Sequence, residues 1–62
     1  MYIKLNIGIT HNQVPCDPEY FYQHLKNRKL EVVKEYNSMV RVVDENGEEW
    51  NIFVNQFHTC EL

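Results

Sequence analysis

Five side chains of this sequence could ligate a transition metal. They are His11, Cys16, His24, His58 and Cys60. No two of them have the Cys-x2–4-Cys or His-x3–5-His spacing that structural zinc sites use. On a β-strand His58 and Cys60 would point to the same face, as two ligands must, but a cysteine is often buried without any function. We therefore predict no metal and no cofactor, with His58 at the surface and Cys60 half-buried.

The same residue types could support nucleophilic catalysis, in which a base activates a cysteine. No motif joins Cys16 or Cys60 to a histidine, and 62 residues leave little material for a second layer that would hold a catalytic group. Gly8 and Gly47 are the only glycines, so the sequence has no glycine-rich phosphate loop. The sequence predicts that the chain is not an enzyme.

Three consecutive aromatic residues, Tyr20, Phe21 and Tyr22, are the first candidates for a binding surface. On a helix they would spread over about 200° of arc, so one or two must enter the core, Phe21 first. An exposed tyrosine offers an apolar ring and a hydroxyl, a combination common at interfaces. We therefore predict Tyr20 and Tyr22 as partner-binding residues. The alternative is that all three rings pack on the core.

Four carboxylates surround one predicted turn. They are Asp44, Glu45, Glu48 and Glu49. Such a cluster could dock on a basic partner surface, and we predict these residues as a second part of the binding site. The alternative is that they only keep the tip of a hairpin soluble.

Length and charge restrict the kinds of partner. The 62 residues, with a net charge of −3, predict a single domain spanning residues 1–62. Residues 1–30 carry four basic against two acidic side chains, whereas residues 31–62 carry two basic against seven acidic ones. Because Lys and Arg neutralise phosphates, this balance argues against a nucleic-acid-binding protein. That alternative would use Lys4, Lys26, Arg28 and Lys29, with exposed tyrosines that stack on bases.

The compartment is predicted from the absence of targeting signals. No apolar run approaches the roughly 20 residues of a membrane span, and the first residues lack the pattern of a signal peptide. We predict a cytoplasmic protein that does not associate with membranes, in which Cys16 and Cys60 are reduced thiols. A disulfide would require the fold to bring these two cysteines together.

Alternating apolar residues predict five strands, at residues 1–10, 30–36, 39–43, 49–54 and 57–61. The first is the clearest, with an apolar face formed by Ile3, Leu5, Ile7 and Ile9. In the fourth, Trp50, Ile52 and Val54 share one face, and Asn51, Phe53 and Asn55 share the other. The alternation slips at Val32 and Val33, which predicts a bulge or a strong twist.

Turn and cap residues complete the pattern. Asn37 and Ser38 predict a two-residue turn, and Asn46 followed by Gly47 is a strong hairpin signal. Asp17 and Pro18 suit the N-cap and the first position of a helix. This helix of two to three turns would bury Phe21 and Leu25, four residues apart, against the sheet.

The order of these elements resembles the SH3-like barrel. In that family a long loop joins the first two strands, a tight hairpin joins the third and fourth, and a 3₁₀ turn precedes the last. The matching stretches here are residues 10–29, 45–48 and 55–57, and residues 40–52 resemble small barrel proteins of bacteria and their phages. SH3 domains that bind Pro-rich peptides carry a Trp after the second strand, whereas Trp50 follows the distal hairpin. PxxP recognition is therefore not implied.

We expect a mainly β protein, a five-stranded SH3-like barrel with one short helix in the long loop between strands 1 and 2. The resemblance implies a non-enzymatic protein-binding module, encoded by a phage or prophage, that inhibits or adapts a larger bacterial protein with a basic surface. The alternatives are a nucleic-acid-binding barrel and a homo-oligomeric structural protein. A homodimer would bury an edge strand or exposed aromatic rings.

Overall fold

The computed structural model describes residues 1–60. Its strands are β1 (Tyr2–Leu5), β2 (Leu30–Glu35), β3 (Met39–Val43), β4 (Glu49–Phe53) and β5 (Phe57–Cys60). They form one antiparallel sheet in the order β4-β3-β2-β1-β5, so β4 and β5 are the edge strands. The predicted mainly β chain, with five strands and one short helix between the first two, is confirmed.

The helical segment, residues 18–25, begins where the cap residues predicted. The side chain of Asp17 accepts a hydrogen bond from the Tyr20 backbone N–H at 3.3 Å, and Pro18 occupies the first position of α1 (Pro18–Tyr20). The cap satisfies a backbone donor that has no partner inside the helix.

The helical segment widens before it ends. Its second part, Phe21–Leu25, is a π-helical turn in which the Lys26 N–H donates to the Phe21 carbonyl, five residues earlier, at 2.9 Å. Asn27 then adopts a left-handed φ of 61°, a conformation that commonly terminates helices. Phe21 and Leu25 are fully buried, as predicted. The described helices include none with the length and apolar character needed to cross a bilayer.

The β3–β4 connection is a tight hairpin. The Gly47 N–H donates to the Asp44 carbonyl at 3.1 Å, and the Asp44 N–H donates to the Glu48 carbonyl at 3.0 Å. Gly47 has a φ of +82°, which glycine adopts without steric cost. This is a three-residue loop with a left-handed third residue, a common hairpin type. The hairpin predicted from Asn46 and Gly47 is confirmed.

The β2–β3 connection is shorter still. The Tyr36 N–H donates to the Met39 carbonyl at 2.8 Å, so only Asn37 and Ser38 form the turn. The register of β2 against β3 shifts between Val32 and Lys34, which confirms the irregularity predicted from the broken alternation.

One cluster of ten side chains forms the core. It comprises Ile3, Leu5, Ile9, Val14, Phe21, Leu25, Leu30, Val40, Val42 and Ile52. The cluster joins the helical segment and the long loop to one face of the sheet, which we call the inner face. Trp50 and Phe57 pack against its margin.

The first strand is shorter than predicted. β1 ends at Leu5, whose partner Phe57 is the first residue of β5. The chain then turns, and the Ile9 N–H donates to the Asn6 carbonyl at 3.1 Å. Ile9 thereby returns to the core, whereas Ile7 is 89% exposed instead of lying on the apolar face.

Two further strand boundaries differ from the prediction. β4 ends at Phe53, and Val54 begins a 3₁₀ turn, Val54–Gln56, where its side chain is exposed. Val54 therefore does not continue the inner face with Trp50 and Ile52. The predicted end of the last strand at Glu61 lies outside the described residues.

Candidate functional site

Asp44 is the only charged residue in the buried part of the described chain, with 5% of its surface exposed. It directly follows β3 and starts the hairpin loop. Its Oδ2 accepts hydrogen bonds from the Tyr20 hydroxyl at 2.6 Å and from Trp50 Nε1 at 3.0 Å. Its Oδ1 accepts from the backbone N–H of Asn46 at 2.8 Å and of Glu48 at 3.0 Å. Four donors thus replace the water that burial removes.

The Asp44 junction, as we call Tyr20, Asp44, Asn46 and Trp50, connects the helical segment to the hairpin. The Asn46 amide donates to the Tyr20 hydroxyl at 3.2 Å. The rings of Tyr20 and Trp50 lie 5.8 Å apart between centroids, within the range of favourable aromatic pairs. The two surfaces that the sequence predicted separately, around the tyrosines and around the acidic turn, are therefore adjacent and tied together.

Protonation equilibria in the junction follow from these contacts. Burial opposes ionisation of Asp44, but hydrogen bonds from Tyr20, Trp50 and two backbone amides outweigh it and hold the pKa of Asp44 below its usual range. The hydrogen bond to this carboxylate raises the pKa of Tyr20, and burial adds to the effect. At neutral pH the junction therefore pairs a carboxylate with a neutral phenol.

A second, exposed contact links the same two elements. His24 Nδ1 lies 2.8 Å from Glu45 Oε2, and Arg28 lies 3.7 Å from Glu45 Oε1. The His24 ring also packs on Tyr20, with 4.6 Å between centroids. Exposed polar contacts of this kind contribute little to stability, so Asp44 provides the principal connection.

The remaining predicted site residues are at the surface. Glu48 and Glu49 are exposed, and Glu49 lies 3.5 Å from Arg41. Tyr22 is 51% exposed, with Lys26 Nζ 5.6 Å from the centre of its ring. Of the six residues predicted to bind a partner, Tyr20 and Asp44 thus bond to each other, and Tyr22, Glu45, Glu48 and Glu49 are accessible. Their predicted role in binding stays a prediction.

The candidate metal ligands do not converge. Within residues 1–60 no three His, Cys, Asp or Glu side chains lie close enough to share a metal ion. His58 is exposed and its Nδ1 lies 3.0 Å from Asn6 Oδ1, whereas Cys60 is half-buried. Burial, aided by nearby carboxylates, raises the pKa of the Cys16 thiol, which disfavours the reactive thiolate. Both cysteines are free thiols.

The opposite, outer face of the sheet carries a feature that the sequence reasoning missed. Tyr36, Met39 and Phe53 form one row across β2, β3 and β4, because Met39 pairs with Phe53 and Tyr36 bonds to Met39 across the turn. We call this the outer row. Tyr36 is 42% exposed and Phe53 is 48% exposed. The alternation within β4 could have indicated this feature, because it places Phe53 on the other face of the strand from Trp50 and Ile52.

Polar side chains border the outer row on one side. Lys34, Arg41 and Asn51 form the next row, since Lys34 pairs with Arg41 and Arg41 pairs with Asn51. The Lys34 ammonium lies 5.5 Å from the centre of the Tyr36 ring, a cation–π distance. Val54, the residue after Phe53, is 54% exposed.

Comparisons with known protein families, curated proteins and solved structures give no match to this chain. The described residues also enclose no pocket for a small molecule. The candidate sites of the described chain are therefore surfaces.

Proposed function

We propose that this chain is a non-enzymatic protein-binding module that contacts its partner through the outer row. The supporting observation is the exposure of Tyr36 and Phe53 in one row, with Met39 of β3 between them. Exposed apolar patches mark interaction sites, and aromatic residues are enriched at the centre of interfaces. The sequence resemblance suggests that the partner is a larger bacterial protein, for which this chain acts as an inhibitor or an adaptor.

The fold proposed for this module is an SH3-like barrel. The antiparallel order β4-β3-β2-β1-β5, the long connection with the helical segment, the tight β3–β4 hairpin and the 3₁₀ turn before β5 support it. Closure would bring the edge strands β4 and β5 together around the core. The resemblance of residues 40–52 to small bacterial and phage barrels is the support for a bacterial or phage setting.

The position of the outer row suits recognition. Met39 and Phe53 lie on paired strands, and the backbone of Tyr36 is hydrogen-bonded to that of Met39, so a partner would meet side chains whose backbone is already fixed. Binding to a preorganised surface costs less conformational entropy than binding to a flexible loop. Because the helical segment and the core occupy the inner face, ligand contacts at the outer row need not disturb the fold.

The experiment is affinity capture from bacterial lysate with matched variants. We expect a stoichiometric partner with the wild-type chain and its loss with Phe53→Ser, and separately with Tyr36→Ser. Tyr22→Ser is the control, because Tyr22 is as exposed as these residues but lies on the helical segment. Far-ultraviolet circular dichroism checks that each variant is folded.

Two results would contradict the proposal. One is capture that survives both outer-row substitutions but is lost in Tyr22→Ser, which would place the contact at the helical segment and acidic hairpin. The other is the absence of any stoichiometric partner with the wild-type chain.

A further inference from the structure

Positive charge borders the outer row more closely than negative charge does. Lys34 and Arg41 occupy the adjacent row, whereas Glu31 and Glu49 lie one row further along the same face. Glu49 is paired with Arg41, at 3.5 Å. Within residues 1–60 Lys34 has no carboxylate within 4.0 Å and contacts the Tyr36 ring instead. An apolar strip therefore stands beside a cation that contacts the Tyr36 ring and no carboxylate of residues 1–60.

The acidic residue nearest in sequence does not neutralise this cation. Glu35 pairs with Val40, whose side chain belongs to the core, so Glu35 is directed away from the outer face. Lys34 is consequently the first charged group that a ligand seated on Tyr36 would meet. A carboxylate next to an apolar side chain would complement this arrangement, whereas a basic ligand would be repelled.

The apolar surface of the outer row is small, which favours a short ligand over a folded protein as the molecule that covers it. The two half-exposed rings of Tyr36 and Phe53 together present roughly 200 Å². A stable dimer buries about 800 Å² on each partner, close to a fifth of the 4173 Å² surface of the described chain. An interface of that size centred on the outer row would also cover the charged rows beside it, and a second copy would add its own Lys34 and Arg41.

From this charge and this size we infer that the outer row is the docking site for a short acidic peptide segment of the partner, with an apolar side chain seated between Tyr36 and Phe53 and a carboxylate beside Lys34. The inference rests on the proposed function and specifies the chemistry of the partner at that site. It concerns a surface separate from the acidic hairpin, whose own predicted partner is basic.

The probe is a synthetic nine-residue peptide with one central Leu, four Glu and neutral spacers. A matched peptide carries Lys in place of each Glu. Titration of the ¹⁵N-labelled full chain is followed by the chemical shifts of its backbone amides. We expect the acidic peptide to shift Tyr36, Met39 and Phe53 and to bind at least fivefold more tightly than the basic peptide. The preference should weaken as salt is added.

Substitutions separate the charge from the apolar contact. Lys34→Gln should remove most of the preference for the acidic peptide, whereas Lys29→Gln, at an exposed lysine before β2, should preserve it. Phe53→Ser should weaken binding of both peptides. Because these positions are exposed, the variants should stay folded, and Tyr36→Ser provides a second test of the apolar contact.

The inference is overturned if the basic peptide binds equally well or more tightly, if the shifts fall on the helical segment instead, or if neither peptide binds. It is also overturned if dilution of the free protein moves the Phe53 and Tyr36 signals, because a second copy would then cover the row. If Phe53→Ser abolishes capture of the cellular partner while the acidic peptide shows no preference, this inference fails and the proposed function stands. Failure of both experiments rejects both.

Discussion

A carboxylate removed from water is costly unless donors replace its solvent, and Asp44 has four of them. The sequence could not distinguish Asp44 from the three exposed glutamates near it. Two of its donors are the side chains of Tyr20, 24 residues earlier, and Trp50, six residues later. Only the folded chain brings them together. The sequence did identify Tyr20 and Asp44 as residues of interest, but it did not predict that they bind each other.

Tyr20→Phe should lower the free energy of unfolding at pH 7, because it removes a hydrogen bond to the charged Asp44 carboxylate. Tyr22→Phe is the matched control, since among residues 1–60 the Tyr22 hydroxyl makes no hydrogen bond, and it should change stability by less than about 0.5 kcal/mol. Urea denaturation followed by tryptophan fluorescence measures both. Equal effects of the two substitutions would contradict the role assigned to the junction.

The difference between wild type and Tyr20→Phe should also depend on pH. Because the folded pKa of Asp44 is below its unfolded value of 3.8, the stabilisation is fully present above that value and is lost as the pH falls through the folded pKa. Repeating the urea titrations between pH 7 and pH 2 should therefore show the two proteins converging in acid. A difference that stays constant over this range would mean that the Asp44 carboxylate is not the acceptor that matters.

At the scale of elements, local sequence motifs correctly predicted the caps and turns, because these depend on interactions between residues that are close in sequence. The N-cap at Asp17, the turn at Asn37 and Ser38 and the hairpin at Gly47 all depend on neighbouring residues, and all three were found. The length of β1 depends on its pairing with β5, which is distant in sequence. The strand predicted from alternation alone was therefore too long. The sequence pattern likewise predicted a helix beginning at Pro18 but not that its second part is a π-helical turn.

Gly47→Ala should destabilise the hairpin by about 1–2 kcal/mol, because a residue with a Cβ is strained at the left-handed φ of this position. A Cβ at Gly47 would meet no atom within 4 Å, so steric clash contributes nothing. Gly8→Ala is the matched control, since its Cβ would also meet nothing within 4 Å and its φ is not positive. Thermal denaturation should show a lower Tm for Gly47→Ala and little change or a slight rise for Gly8→Ala. The reverse order would contradict the assigned loop conformation.

At the scale of the molecule, the radius of gyration of 10.4 Å agrees with the roughly 10.5 Å expected for a compact chain of this length. Alternating apolar residues predicted a mainly β chain, but the strand order required pairing between β1 and β5, which no local pattern encodes. The outer row arises in the same way, because Tyr36 and Phe53 become neighbours only when β3 lies between their strands.

Phe21→Ala should remove a large part of the stability of the fold and lower the Tm well below that of the wild type. Removing a buried phenylalanine costs about 3–5 kcal/mol, whereas a chain of this length has a total stability of roughly 3–9 kcal/mol. Phe21 has no exposed surface and belongs to the core cluster that joins the helical segment to the sheet. Val33→Ala, at a position 52% exposed, is the control. Circular dichroism melting curves should separate them, and a cooperative transition for Phe21→Ala near the wild-type Tm would contradict this account of the core.

The pairing of β1 with β5 also determines how the chain would respond to mechanical force. Tyr2 lies opposite Cys60, so both ends of the described chain emerge at the same side of the sheet. Antiparallel hydrogen bonds run perpendicular to their strands, and a pull applied at these two residues would act along those bonds. The load would fall on one residue pair at a time, from Tyr2–Cys60 toward Leu5–Phe57. Stretched by its ends, this domain would unzip under low force rather than resist by shear.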